Sequence, residues 1–272
     1  MFGYSLNNFR CMIGQKKYGV QFGGDIILKS LKRHILVPNY TQSMPLNISH
    51  IDINTNQDYS KGYTVVNKNL KKKIFNINFG GDHSISVSTI QPMLNYYKND
   101  LLVVWIDAHA DINTYNSSLT KNKHGMPLAV LTGKMKHWYN INKKHYTLPY
   151  NNLIYVGLRD LDQYEIDFIK EKNIKYFACY NKHVIDTINQ HPAKYIHISC
   201  DIDSMDPKIM PSTGTPVKNG LTLKNVLKIV KTCKKKMVGF DLIEFNPMIS
   251  CVKDVQKTIT NINKIIKCVM YK

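Results

Sequence analysis

The sequence predicts an α/β fold: a single domain over residues 1–272, built as a doubly wound, mostly parallel sheet with helices on both faces. Two observations carry this expectation. Short runs that are apolar at nearly every position alternate with amphipathic stretches, and strands buried on both faces read that way. Polar, glycine-rich or acidic clusters follow directly on these runs. Strands alternating with helices favour a parallel sheet, whose strands all end on one edge.

The elements follow in order. Residues 74–79 predict the first strand, followed by "GGDHS" (80–84) and a helix over 85–97. Residues 101–106, "LLVVWI", are the most continuous apolar run and lead into "DAHAD" (107–111). A strand at 153–156 leads into "GLRDLD" (157–162), which overlaps a helix expected over 161–172. Further strands are expected at 174–178, 195–199 and 237–240, with helices at 182–190, 222–235 and 255–269. The last helix shows its period clearly, with Val255, Ile259, Ile262, Ile266 and Val269 on one face.

Composition narrows the class. Hydrophobic residues make up 43% and charged residues 21% of the 272, as in ordinary soluble proteins. The apolar runs are too short to span a bilayer. The segment 1–14 lacks the apolar core of a secretory signal, so a cytoplasmic location is expected. The six cysteines form no C-x-x-C pair and are expected as free thiols. The formal charge of +18, from 37 basic and 19 acidic residues, raises the question of a polyanion partner. The basic residues are spread along the chain without interleaved aromatics, and Lys, Asn, Ile and Tyr are all abundant. A solvated basic surface is therefore the expectation, without specific nucleic-acid binding.

The clusters after the strands carry the chemistry. In a parallel sheet the carboxyl ends of the strands share one edge, and ligands bind in the crevice there. The blocks at 80–84, 107–111, 157–162, 201–207 and 241–247 should therefore converge. If the chain stays extended, Asp107, His109 and Asp111 point to one side, and so do Asp201 and Asp203. Burying so many carboxylates is costly unless cations pair with them. Only Arg159 lies within these clusters. A metal centre explains four Asp and two His better than a plain surface turn does. Carboxylates with a few imidazoles and no thiolate suit Mn²⁺, or Fe²⁺ or Co²⁺, over structural zinc. Six side chains exceed the needs of one open ion and suit a bridged pair.

With these residues assembled, the chain resembles the ureohydrolases, and within them the arginases. "GGDHS", "DAHAD" and "SCDIDSMDP" (199–207) resemble the three signature blocks of that family, in order. The stretches 111–127, 156–162, 213–222, 241–247 and "GQKKYGV" (14–20) resemble arginases in particular. The resemblance implies hydrolysis of the L-arginine guanidinium to L-ornithine and urea, by a hydroxide bridging two manganese ions. It implies that His83, Asp107, Asp111 and Asp201 hold one ion and Asp107, His109, Asp201 and Asp203 the other. Asp111 would pass a proton to the leaving amine, and His124 would shuttle protons to solvent. Glu244 would face the guanidinium with Thr215 nearby. Asn113 and Thr120 would bind the substrate α-carboxylate, and Asp162, backed by Glu165, its α-amino group. A trimer or hexamer is implied as well, together with a place in arginine metabolism of the urea-cycle type.

Two departures stand out: Thr120 where the family usually has serine, and Cys200 at a position normally apolar. Agmatinase, guanidinobutyrase and formiminoglutamate hydrolase share the metal blocks and remain alternatives. A relative that has lost catalysis is disfavoured by the presence of all six ligands.

Overall fold

The computed structural model of the chain describes residues 3–34, 46–140 and 145–271. Met1 and Phe2, the start of the segment without a secretory core, lie outside the described residues, as do other short stretches of the 1–272 expectation. The strands are β1 (Tyr4–Cys11), β2 (Leu46–Ile53), β3 (Phe75–Phe79), β4 (Leu101–Ile106), β5 (Leu153–Val156), β6 (Lys175–Phe177), β7 (Tyr195–Asp201) and β8 (Met237–Ile243). They form one eight-stranded sheet in the order β2-β1-β3-β8-β7-β4-β5-β6. Every pairing within it is parallel, so the sheet is parallel throughout and not merely mostly so.

The helices are α1 (Gly23–His34), α2 (Tyr59–Lys71), α3 (Ser86–Tyr97), α4 (Pro127–Leu131), α5 (Gln163–Glu171), α6 (Lys182–Gln190), α7 (Leu223–Cys233) and α8 (Val252–Met270). They cover both faces, and the alternation along β4 shows how. Leu102, Val104 and Ile106 join a core with Leu31 of α1, Ile188 of α6, Ile229 of α7 and Ile262 of α8. Leu101, Val103 and Trp105 join the opposite core with Tyr63 of α2, Ile90 of α3, Leu128 of α4 and Phe168 of α5. Period-two geometry sends one continuous apolar run into two cores at once. No helix among the described residues is long and apolar enough to cross a membrane.

The expected elements are present, with shifted ends. The helix placed at 161–172 begins at Gln163, because Asp162 caps it and shares a capping box with Glu165. The strands placed at 195–199 and 237–240 run on to Asp201 and Ile243. Asp201 is therefore part of its strand. Two strands and three helices carried no expectation. β1 hides because its interior is polar: Asn7 is buried and its Nδ2 donates to Asn76 Oδ1 at 3.1 Å and Asn78 Oδ1 at 2.8 Å on β3. β2 divides its apolar residues between the two faces, Leu46 and Ile48 packing against one core and Ile51 and Ile53 joining the other. Tyr59, Tyr63, Val66 and Leu70 give α2 a helical period.

The sheet order positions the site. β3, β8, β7, β4 and β5 are consecutive in space, and each ends in one of the five clusters. Phe240, fully buried in the middle of β8, tests how far these strands depend on their packing. Phe240→Ala should lower the unfolding free energy by about 3–5 kcal/mol, read from the urea midpoint at unchanged m. A loss under about 1 kcal/mol would mean that β8 is not held by this core.

Candidate metal centre

The clusters converge, but not by the alternation that an extended chain gives. The chain bends at Ala108 and His109, and Asp111 sits at φ 51°. After Asp201 it enters a short 3₁₀ turn, Ile202–Ser204. Turns replace the period-two register expected for both blocks. Glu244, directly after β8, is also left-handed at φ 66°. Non-glycine residues held there are strained, and the surroundings must hold them. Here the Glu244 backbone N donates to Gly81 O at 2.9 Å. Gly81 is obligatory because a Cβ would lie 1.7 Å from the Cys11 carbonyl oxygen.

His83 is the focus. It opens the 3₁₀ turn after β3, capped by Asp82, whose carboxylate accepts from Ser84 N. Its ring stacks on Trp105, with centroids 4.0 Å apart and planes 5° apart. Its Nε2 lies 2.9 Å from Ser199 Oγ. Its Nδ1 lies 2.9 Å from Asp107 Oδ2, 3.0 Å from Asp111 Oδ2 and 3.4 Å from Asp201 Oδ2, yet makes no hydrogen bond of acceptable geometry. A buried nitrogen that faces three carboxylates without a proper bond fits a cation ligand. A second cluster shares Asp107: His109 Nδ1 lies 3.5 Å from Asp107 Oδ1 and 3.2 Å from Asp203 Oδ2. Within His83, Asp107 and Asp111, and within Asp107, His109 and Asp203, the ligand atoms lie within 4.8 Å of one another; Asp201 belongs to neither trio and reaches the first through His83.

Backbone and side chains hold the carboxylates. Asp107 accepts from Trp105 Nε1 at 3.0 Å and His109 N at 2.8 Å. Asp201 accepts from Asp203 N at 2.8 Å, and Asp203 from Thr215 Oγ1 at 2.8 Å. Among the described residues no Lys or Arg forms an ion pair with Asp107, Asp111, Asp201 or Asp203. Arg159, the cation the sequence offered, spends its guanidinium on the carbonyls of Gly157, Asp203, Ser204, Val217 and Lys218. The donor set therefore fits a pair of divalent ions, and among the described residues no lysine or arginine takes their place.

The sequence of the chain matches the arginase family model over residues 8–271. The chain belongs to the arginase family. It is 36% identical over 204 residues to the arginase of Plasmodium berghei, covering 70% of this chain and 57% of that one. The chain thus spans little more than half of that curated relative. It superposes on the crystal structure of Bacillus subtilis arginase with a TM-score of 0.86 at 28% identity, over 99% of both chains. Entamoeba histolytica arginase, solved in complex with L-ornithine, gives a TM-score of 0.81 at 30% identity over 97% of both.

Beside this His/Asp cluster opens a cavity of about 280 Å³. His109, Asp111, Asn113, Thr120, His124, Asp162, Glu165, Asp201 and Thr215 line it. Asn113 Nδ2 donates to Asp162 Oδ2 at 2.7 Å. His83, Asp107, Asp203 and Glu244 are not part of the lining. Glu244 is 1% exposed. Its Oε1 accepts from His83 N at 2.9 Å and lies 3.3 Å from His124 Nδ1, and its Oε2 accepts from Gln15 Nε2. Trp105, Ser199 and Gln15 were missed as site residues. Trp105 and Ser199 read as strand interior, and Gln15 lies over two hundred residues from its partner.

Electrostatics without bound cations are those of a crowded acidic site. Burial, then the Asp107 charge, pushes Asp111 up to about 6. Burial, then Asp162 and Asp111, pushes Glu165 up to about 8. Burial raises Asp201 and Asp203 too, and neighbouring Asp charges add to it. Burial opposes a proton on His83, His109 and His124, but the facing carboxylates outweigh it and hold all three above the ordinary histidine range, His124 at about 9. Groups whose folded pKa lies above the unfolded value bind more protons when folded, so stability is lost as pH rises through that window. In chelator the unfolding free energy should fall by about 2–4 kcal/mol between pH 5 and 8, and Glu165→Gln should remove part of the slope. Manganese at about a hundred times its Kd should restore about 2.7 kcal/mol near pH 8. Chelator-treated protein whose stability stays flat or rises over this range would contradict the electrostatics.

Proposed function

We propose that the chain hydrolyses the guanidinium group of L-arginine to L-ornithine and urea at a manganese pair, residues 1–272 acting as one catalytic domain. The observation that carries this reading is the unsatisfied His83 Nδ1 among three carboxylates, next to a second His/Asp cluster that shares Asp107. A relative solved with L-ornithine, the product such hydrolysis leaves, supports the substrate. His83, Asp107, Asp111 and Asp201 would hold one ion, and Asp107, His109, Asp201 and Asp203 the other. Manganese, when bound, lowers the pKa of coordinated water and supplies positive charge.

The chain's own residues do the rest. Asp111, which belongs to the cluster and lines the cavity, would hand a proton to the leaving amine. His124 lines the cavity and carries protons outward, oriented by Glu244. Glu244 Oε1 serves His83 N and His124, so the guanidinium would be met by Oε2, which holds only Gln15. Thr215 fixes Asp203. Asn113, Thr120 and Asp162 line the cavity and belong to neither His/Asp cluster; they would take the α-carboxylate and α-amino group of the substrate, and Glu165 braces Asp162 through the capping box. The cysteines are all free, in keeping with a reducing, cytoplasmic setting.

Arginine and agmatine differ by the α-carboxylate alone, so only these outer groups can tell them apart. Groups built to hydrogen-bond a missing partner are left unpaired, at roughly 1–3 kcal/mol each. The manganese-loaded protein should therefore release urea from arginine with kcat/KM at least about a hundredfold above agmatine, and Asn113→Ala should shrink that ratio. Comparable rates on agmatine or guanidinobutyrate would move the chain to another ureohydrolase activity, and no urea from any of them would overturn the reading. His124→Ala should keep its metal and lose about a hundredfold in turnover. Full turnover in that variant would remove His124 from proton transfer.

A further inference from the structure

Beneath the metal cluster lies a buried polar chain that the mechanism above does not use. Asp241, on β8, is 0% exposed. Its Oδ1 accepts from Asn78 Nδ2 at 2.6 Å. Its Oδ2 accepts from Thr89 Oγ1 at 2.6 Å and from Ser86 Oγ at 3.4 Å, and His197 Nε2 lies 3.0 Å away. Ser86 Oγ lies 3.2 Å from Ser199 Oγ, which lies 2.9 Å from His83 Nε2. His83, Ser86, Thr89, His197 and Ser199 are also 0% exposed, so no bulk water competes. Burial alone would raise the Asp241 carboxyl, but His197 and the hydroxyl and amide donors outweigh it and hold it below the ordinary carboxylate range. Asp241 is thus ionised and can only accept.

An acceptor that cannot donate sets the direction of everything linked to it. Each serine hydroxyl has one hydrogen. Ser86 gives its hydrogen to Asp241, so it must accept from Ser199. Ser199, having given its hydrogen, must accept from His83. We propose that Asp241 is a positioning residue for the metal centre: through Ser86 and Ser199 it keeps a proton on His83 Nε2, so that a cation displaces only the proton on Nδ1, which faces the carboxylate cluster. With the chain reversed, the proton would sit on Nδ1 and block a cation there. Partners on the outer ring nitrogen that set a ligand's tautomer strengthen its metal binding. This inference rests on the metal-pair reading.

The test is a Mn²⁺ titration of the metal-free full chain, with free manganese followed by its electron paramagnetic resonance signal. The unmodified protein should bind two ions. Ser199→Ala and Ser86→Ala should each weaken one ion about 10–100-fold and leave the other nearly unchanged. The metal-free melting temperature should hold, which a merely structural role would not allow. The Ser86→Ala/Ser199→Ala double variant should lose little more than either single variant, because the relay acts as one unit. Asp241→Asn should act the same way where it folds, and the serine variants decide the matter where it does not. Two ions of unchanged affinity in the serine variants, equal weakening of both ions, or losses that add in the double variant would each overturn the relay alone. An unmodified protein that binds no manganese would overturn the metal-pair reading and the relay with it.

Discussion

Four aspartates share one buried point at the end of the sheet with no lysine or arginine among the described residues to neutralise them. Most features around the site answer that constraint. Two histidines face the carboxylates, and the one guanidinium nearby is spent on backbone carbonyls. Like charges this close keep some of the carboxylates protonated unless a cation intervenes, and the raised values of Asp111, Asp201 and Asp203 express that pressure. The folded chain is therefore poised for divalent ions in a way its charge of +18 does not suggest. The basic residues are elsewhere, and the site is the acidic exception.

The fold withstands this pressure through rigidity. Five consecutive parallel strands, β3, β8, β7, β4 and β5, end together, and each contributes one cluster from a backbone already locked in the sheet. The finer aim comes from local strain: Asp111 and Glu244 in left-handed conformations, and a Gly81 backbone too close to Cys11 for any side chain. Under the site, polar side chains on β1, β3, β7 and β8 form hydrogen bonds inside the sheet. Each buried donor there needs an acceptor, and the bonding order that results reaches His83 itself.

Much of this was legible in the sequence, for identifiable reasons. The run at 101–106 announces β4 because both of its faces are buried, and "DAHAD" announces a candidate metal site because carboxylates and imidazole rarely follow such a run without a use. Asn113, Thr120, His124, Asp162, Glu165 and Thr215 share the lining of one cavity, while Glu244 is not part of it. The gaps are also physical. β1 stayed hidden because Asn7 and Asn8 look like loop residues until their partners are known. The convergence was expected from an extended chain and arises from turns, since left-handed φ at an aspartate leaves no mark in composition. Trp105, Ser199 and Asp241 read as strand interior, and only their contacts give them a role at the site.

The central claim is that the buried carboxylates exist to hold two ions. Anomalous scattering at the manganese edge from crystals of the manganese-loaded protein tests it most directly. The account expects two peaks about 3.5–4 Å apart, one beside His83 and Asp111, the other beside His109 and Asp203, with Asp107 and Asp201 between them. A single peak, or none at these residues under saturating manganese, would contradict it.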